Sequence, residues 1–181
     1  MGIGLPATLT PTGYLDFDQP VVRDYAEDAC RGAGTPAERA VRLFCAVRDD
    51  IRYDPYRMSR DPAHLKASRV LADRVGYCVP KAILLAACAR AVGIPARLGF
   101  ADVVSHLTTP KMGEQMGSDR FVCHGYTELF LGARWIKATP TFNRSLCERF
   151  GVKTLEARLN NLWVAWGGNR GVQPLRRPVR I

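Results

Sequence analysis

Apolar positions in this chain fall into one nearly unbroken block and several periodic stretches. From Pro80 through Val92 only Lys81 and Arg90 carry charge, so the helix this block predicts is apolar nearly all round and belongs in a core. Pro80 suits its first turn, Gly93 its C-terminal cap, and Pro95 lies just beyond. Upstream, Thr35-Pro36-Ala37-Glu38 reads as a capping box with proline at the first helical position. The helix it opens places Ala40, Phe44, Val47 and Ile51 on one face, with Val41, Leu43 and Cys45 nearby, and Arg42, Arg48, Asp49 and Asp50 on a solvated side. Val21 to Cys30 predicts a further helix, ended by Gly32 and Gly34, and Ser68 a cap for a short turn through Asp73.

Strands are expected later. Ala96 to Val104 predicts one, and Phe121 to Leu131 followed by Gly132-Ala133 and Arg134 to Thr139 predicts a β-hairpin. A two-residue loop there sets Leu131 opposite Arg134. His124 then lies opposite Thr141, and Thr139 lies opposite Tyr126 and diagonal to His124. Residues 105–120 read as an irregular insertion, Arg57 to Lys66 as loop, and the first 20 residues as loop with one short edge strand.

The chemistry starts at Cys78, which opens the apolar helix. Unpaired backbone N–H groups and the positive end of a helix dipole favour thiolate over thiol there. His124 on the first hairpin strand is the candidate base, and Thr139 and Thr141 are candidates to orient its ring. Six cysteines could form three disulfides, but Cys45, Cys88 and Cys123 sit in apolar helical or strand context, which favours a reduced, cytoplasmic set.

The segments Ala67-Ser68-Arg69-Val70-Leu71, Gly76-Tyr77-Cys78, Leu84-Leu85-Ala86, Ala91-Val92-Gly93-Ile94-Pro95-Ala96-Arg97, His124-Gly125-Tyr126 and Trp135-Ile136-Lys137-Ala138-Thr139-Pro140 together resemble the bacterial transglutaminase-like domain. The resemblance runs from about Glu38 to Asn143. It implies an α+β, papain-like core: a central buried helix carrying the nucleophile, packed on an antiparallel β-sheet that carries the histidine and an acidic partner. Cys78 and His124 fall on the family's nucleophile and base. Where the family has Asp before Pro-Thr, this chain has Thr139 before Pro140-Thr141. A hydroxyl can accept the ring Nδ1–H and hold a tautomer, but it cannot balance imidazolium charge. Loss of that charge costs about 10⁴-fold in a serine enzyme, whereas papain-like proteases work with a neutral Asn. Asn143 and Thr141 are further candidates for orienting the ring.

The resemblance also places Tyr53 and Tyr56 near the nucleophile. The Cys78 N–H supplies one oxyanion donor, and Tyr53, Tyr56 or Tyr77 are candidates for the second. The Gln that papain-like enzymes place just upstream of the nucleophile is absent from Leu65 through Tyr77. The expected activity is cysteine-dependent acyl transfer on a peptide or protein amide: hydrolysis through a thioacyl intermediate, or transamidation of an amine. The alternative is a non-catalytic peptide- or protein-binding module on the same fold.

Other classes are disfavoured. Adjacent Cys123 and His124 point to opposite faces of a regular strand and do not easily share one metal, and there is no Cys-x-x-Cys or His-x-x-x-His, so neither metal nor cofactor is expected. His106 is a rival base in a loop, and His64 a weaker one. At 181 residues and 47% hydrophobic the chain fits one domain, residues 1–152, followed by a basic tail, 153–181. No apolar run of about 18 residues exists and no basic-then-apolar start, so neither a membrane span nor a signal peptide is expected. The formal charge of +9 invites a nucleic-acid reading, but residues 144–181 carry eight basic and two acidic side chains, leaving the body mildly basic. That tail lacks nucleic-acid-binding signatures and reads as a solvated or disordered end.

Overall fold

The apolar helix is the axle of the fold. In a computed structural model, which describes residues 5–104, 120–149 and 151, it spans Cys78–Ala91 (α4), and every residue from Pro80 to Arg90 is buried. Three helices pack around it: α1 (Pro20–Ala29), α2 (Pro36–Asp50) and α3 (Ala67–Asp73). On another side it meets a three-stranded antiparallel sheet in the order β3 (Ala96–Val104), β4 (Arg120–Leu131), β5 (Arg134–Ala138). Two short strands, β1 (Arg52–Tyr53) and β2 (Val75–Gly76), pair in parallel, and α5 (Arg144–Arg149) closes the described part of the chain. This is the α+β arrangement expected, with a buried central helix on an antiparallel sheet.

Local signals act as read. The Thr35 hydroxyl accepts the Glu38 N–H while the Glu38 carboxylate accepts the Thr35 N–H, completing the capping box of α2. Gly93 ends α4 with φ of 80°, a conformation glycine adopts without steric cost. Gly132 and Ala133, at φ 56° and 61°, make a tight hairpin turn whose twist matches the strands. Pairing runs from Leu131 opposite Arg134 to Thr127 opposite Ala138. On the neighbouring pair, the Tyr126 ring covers Gly99, where any side chain would collide with it.

Several expectations are corrected by long-range contacts. Residues 5–20 contain a 3-10 helix, Leu5–Leu9, and no strand. A second 3-10 helix, Pro62–Leu65, lies in the stretch read as loop. Ser68 does not cap α3: the Asp16 carboxylate accepts both the Ser68 N–H (3.0 Å) and its hydroxyl (2.5 Å), satisfying one of the orphan donors of that first turn. Arg48, assigned to the solvated side of α2, is only 1% exposed. Its guanidinium pairs with Asp49 at 2.6 Å and lies over the Phe44 ring. Cys123 is exposed rather than in an apolar setting. Residues 105–119, including His106, and the tail from residue 152 lie outside the described residues.

The two charges inside α4 are matched to backbone carbonyls. Arg90 donates to Ala96 O (2.9 Å) and Thr10 O (2.5 Å). Lys81 Nζ, fully buried, donates to Arg48 O (2.9 Å) and Ile51 O (2.6 Å) at the C-terminal end of α2, where the helix leaves carbonyls without internal partners. Lys81 thereby fixes the first turn of α4, one turn from Cys78, against the segment that leads into β1.

Candidate active site

Cys78 is placed by a parallel pairing immediately before it. Arg52 N–H donates to Arg74 O (2.9 Å) and Asp54 N–H to Gly76 O (3.1 Å), so β2 enters α4 alongside Tyr53. Gly76 sits so close that a Cβ there would stand 3.1 Å from the Pro80 ring. The backbone N–H groups of Gly125, Val79 and Cys78 itself lie near enough to the partly buried Cys78 sulfur to favour its thiolate form. The first of these belongs to the residue directly after His124, so the sulfur lies against the peptide that carries the candidate base.

That approach depends on Gly125. A Cβ there would fall 2.9 Å from the Val79 Cα and 2.9 Å from its Cγ2, a separation no side chain tolerates. Two residues on, the buried Thr127 hydroxyl donates to Ala82 O at 2.8 Å, and together they clamp β4 to the opening turns of α4. A glycine inside a strand signals a close backbone approach, so this contact was readable from His124-Gly125-Tyr126 but was missed.

His124 is re-aimed by a β-bulge that the sequence did not disclose. Ala101 pairs with His124 and Val103 with Phe121, so Asp102 stands opposite both Val122 and Cys123. Cys123 takes φ of 58°, and its N–H donates to Asp102 Oδ1 at 3.0 Å. Bulges raise local twist and redirect neighbouring side chains. The strict alternation assumed for Cys123 and His124 therefore does not hold here.

The ring of His124 is oriented by threonines. Its Nε2 lies 2.9 Å from Thr139 Oγ1, and Thr139 Oγ1 lies 2.8 Å from Thr141 Oγ1, with both threonines buried. The nitrogen engaged is Nε2, not the Nδ1 anticipated. With the proton on Nε2, Thr139 Oγ1 accepts that N–H and donates its own O–H to Thr141 Oγ1, leaving Nδ1 as the basic nitrogen. Asn143 is elsewhere: its Nδ2 donates to Arg48 O and to Ile51 O (2.9 Å), and its Oδ1 accepts the Tyr53 N–H (2.6 Å). It caps the end of α2 beside Lys81 and holds β1, which corrects its assignment as a ring-orienting residue.

The tyrosines divide. Burial, reinforced by the nearby Cys78 sulfur, pushes the Tyr53 and Tyr77 hydroxyls above their ordinary range, so both remain O–H donors within the field of the sulfur. Tyr53 also packs edge-on against Phe142, with ring centroids 4.9 Å apart. Tyr56 is 51% exposed.

Desolvation dominates the electrostatics. Burial pushes the Cys78 thiol above its usual value, and the three N–H groups only partly offset it. Burial pulls His124 down to about 4. The helix terminus does act on the sulfur as expected, but desolvation outweighs it, and the resting pair is a neutral thiol with a neutral imidazole. Among the described residues no cluster of His, Cys, Asp and Glu could hold a metal ion, and no helix is long and apolar enough to cross a membrane. All six cysteines are free thiols.

Comparison with solved structures supports the architecture. The fold is similar to a protein described as a candidate cysteine protease from Cytophaga hutchinsonii, with TM-score 0.59 and 19% identity over 82% of this chain and 45% of that one. It is also similar to the periplasmic domain of TgpA from Pseudomonas aeruginosa, with TM-score 0.51 and 18% identity over 75% of this chain and 46% of that one. The chain thus spans less than half the length of either. No curated protein matches it. The sequence profile of the transglutaminase-like superfamily matches residues 23–140, beginning earlier than the motifs alone indicated and taking in most of α1. With a cysteine at the head of its buried helix and a histidine on the adjoining strand, the chain belongs to the transglutaminase-like superfamily.

Proposed function

We propose that the protein is a cysteine-dependent acyl-transfer enzyme acting on peptide or protein amides, with Cys78 as nucleophile, His124 as general base and then acid, and Thr139 as the residue that sets the imidazole tautomer. The observation that carries this reading is the close approach of the Gly125 backbone to Val79 in the first turn of α4, directly after Cys78, beside a histidine whose Nε2 is held by Thr139. His124 Nδ1 takes the thiol proton as sulfur adds to the carbonyl carbon. The Cys78 N–H and a tyrosine hydroxyl, from Tyr53 or Tyr77, face the developing oxyanion. Collapse expels the amine, protonated by His124, and leaves a thioester. Water, deprotonated by His124, then releases the carboxylic acid and restores the thiol. An amine in place of water would give transamidation, but that requires a site that excludes water, so hydrolysis is the proposed outcome. A cytoplasmic setting belongs to the same reading and fits six free thiols.

A second reading has its own support. Thr139 replaces an acid, and burial holds both the thiol and the imidazole neutral, as suits a module that binds peptide without cleaving it. Labelling with a thiol-directed acyl or epoxide probe, followed by mapping of the modified cysteine, separates the two. Selective modification of Cys78 that is lost in His124→Ala supports the enzyme. Labelling of Cys78 no faster than the exposed Cys123 ends that reading and leaves the binding module.

A further inference from the structure

A cavity of about 310 Å³ opens beside the residue that precedes the nucleophile. Its walls come from the loop after β1, the 3-10 helix Pro62–Leu65, α3, β2 and the first turn of α4. Tyr77, one residue before Cys78, and Pro80, two after it, line it together with Met58, Arg57, His64 and Asp73. Its size is at the lower end for ligand sites, suited to one residue of a substrate rather than to a bulky cofactor.

Its charges do not balance internally. The Asp73 carboxylate is taken by Arg69 at 3.0 Å and faces His64 at 3.6 Å. Nearby acids are occupied as well: Asp54 pairs with Arg52 at 3.3 Å, and Asp61 Oδ1 accepts the Ala63 N–H at 2.9 Å. The exposed Arg57 guanidinium has no acidic partner among the described residues. A planar donor fork in a cavity wall is matched by a carboxylate.

We propose that this cavity receives a carboxylate-bearing side chain of the amide substrate, a glutamyl or aspartyl residue beside the bond to be cleaved, with Arg57 as its recognition residue. This rests on the reading of Cys78 as the nucleophile, because that reading puts the scissile carbonyl next to Tyr77.

Binding can be read without turnover. In the Cys78→Ala protein, titration with N-acetyl-Ala-Glu-Ala-amide and its Gln counterpart is expected to show about 3- to 10-fold tighter binding of the Glu peptide, the range of one partly exposed charge-assisted contact. Adding Arg57→Gln should bring that ratio close to one. Equal affinities at the outset overturn the proposal. So does a Glu preference that survives Arg57→Gln, which would reflect diffuse attraction by a chain of formal charge +9. Labelling of Cys78 by a thiol-directed acyl or epoxide probe in the unmodified protein, and its loss in His124→Ala, tests the nucleophile separately. Labelling that does not depend on His124, with the Glu preference intact, supports the cavity while removing the enzyme. His124-dependent labelling with no preference does the reverse.

Discussion

Gly125 and Val79 are in backbone contact: a methyl group on Gly125 would stand 2.9 Å from the Val79 Cα. This one absent side chain lets β4 lie against the opening turn of α4, and so lets the peptide after His124 reach the Cys78 sulfur. Gly125→Ala must push strand and helix apart or distort both. We expect a loss of about 1–3 kcal/mol in urea unfolding, typical of overpacking, with slower probe labelling of Cys78. Unchanged stability together with unchanged labelling would contradict the contact.

Thr139 stands where the resemblance calls for an acid, and two substitutions interrogate it. Thr139→Val keeps the shape and removes the acceptor from His124 Nε2. Losing one hydrogen bond to a group that becomes charged is worth about 1.5–3 kcal/mol, which predicts a fall in amide turnover of about 10- to 100-fold. Thr139→Asp restores an acid against the ring and should raise the imidazole pKa. The readout is the acid limb of the pH–rate profile, which should move upward in Thr139→Asp relative to the unmodified protein. A limb that stays in place in both variants would show that Thr139 does not act on the ring.

The pH dependence of Cys78 alkylation distinguishes a neutral resting pair from a preformed thiolate–imidazolium pair. Burial holds the thiol above its ordinary value of 9.0 and the imidazole at about 4. Alkylation by iodoacetamide should therefore climb steadily across neutral pH and level off only above that value. A plateau already reached by about pH 6 would instead mean a preformed ion pair of the kind found in papain.

Lys81 makes a stability prediction with a defined sign. Burial pulls its ammonium down to about 7, against about 10.4 when unfolded. Between those values the unfolded chain binds more protons, so this group's contribution is complete above the unfolded pKa and is lost as pH falls towards 7. Lys81→Met should flatten that slope, which cannot exceed about 1.4 kcal/mol per pH unit for one group. The difference between the two proteins in urea unfolding at successive pH values isolates it from the cysteines. Asn143 also donates to Arg48 O and Ile51 O, so those carbonyls keep a partner and the fold should survive. Parallel pH profiles for the two proteins would place the buried amine in its ordinary titration range.

What the sequence determined by itself was local. The Thr35–Glu38 cap, the apolar block of α4 with its glycine stop, and the Gly132–Ala133 turn all depend on backbone preferences within a few residues. The turn carried furthest: once Leu131 faced Arg134, Thr139 had to stand diagonal to His124, where its hydroxyl now meets Nε2. Only the tertiary structure decided what covers each group. Arg48 looks like a surface charge until Asp49 and the Phe44 ring enclose it, and the partners of Lys81 inside its apolar helix appear only when the α2 terminus packs against the first turn of α4. The bulge at Cys123 needs Asp102 from the neighbouring strand. The protonation of Cys78 and His124 turns on desolvation, which comes from elements distant in the chain. Periodicity and spacing report how a segment folds, whereas burial is set by the segments that pack over it.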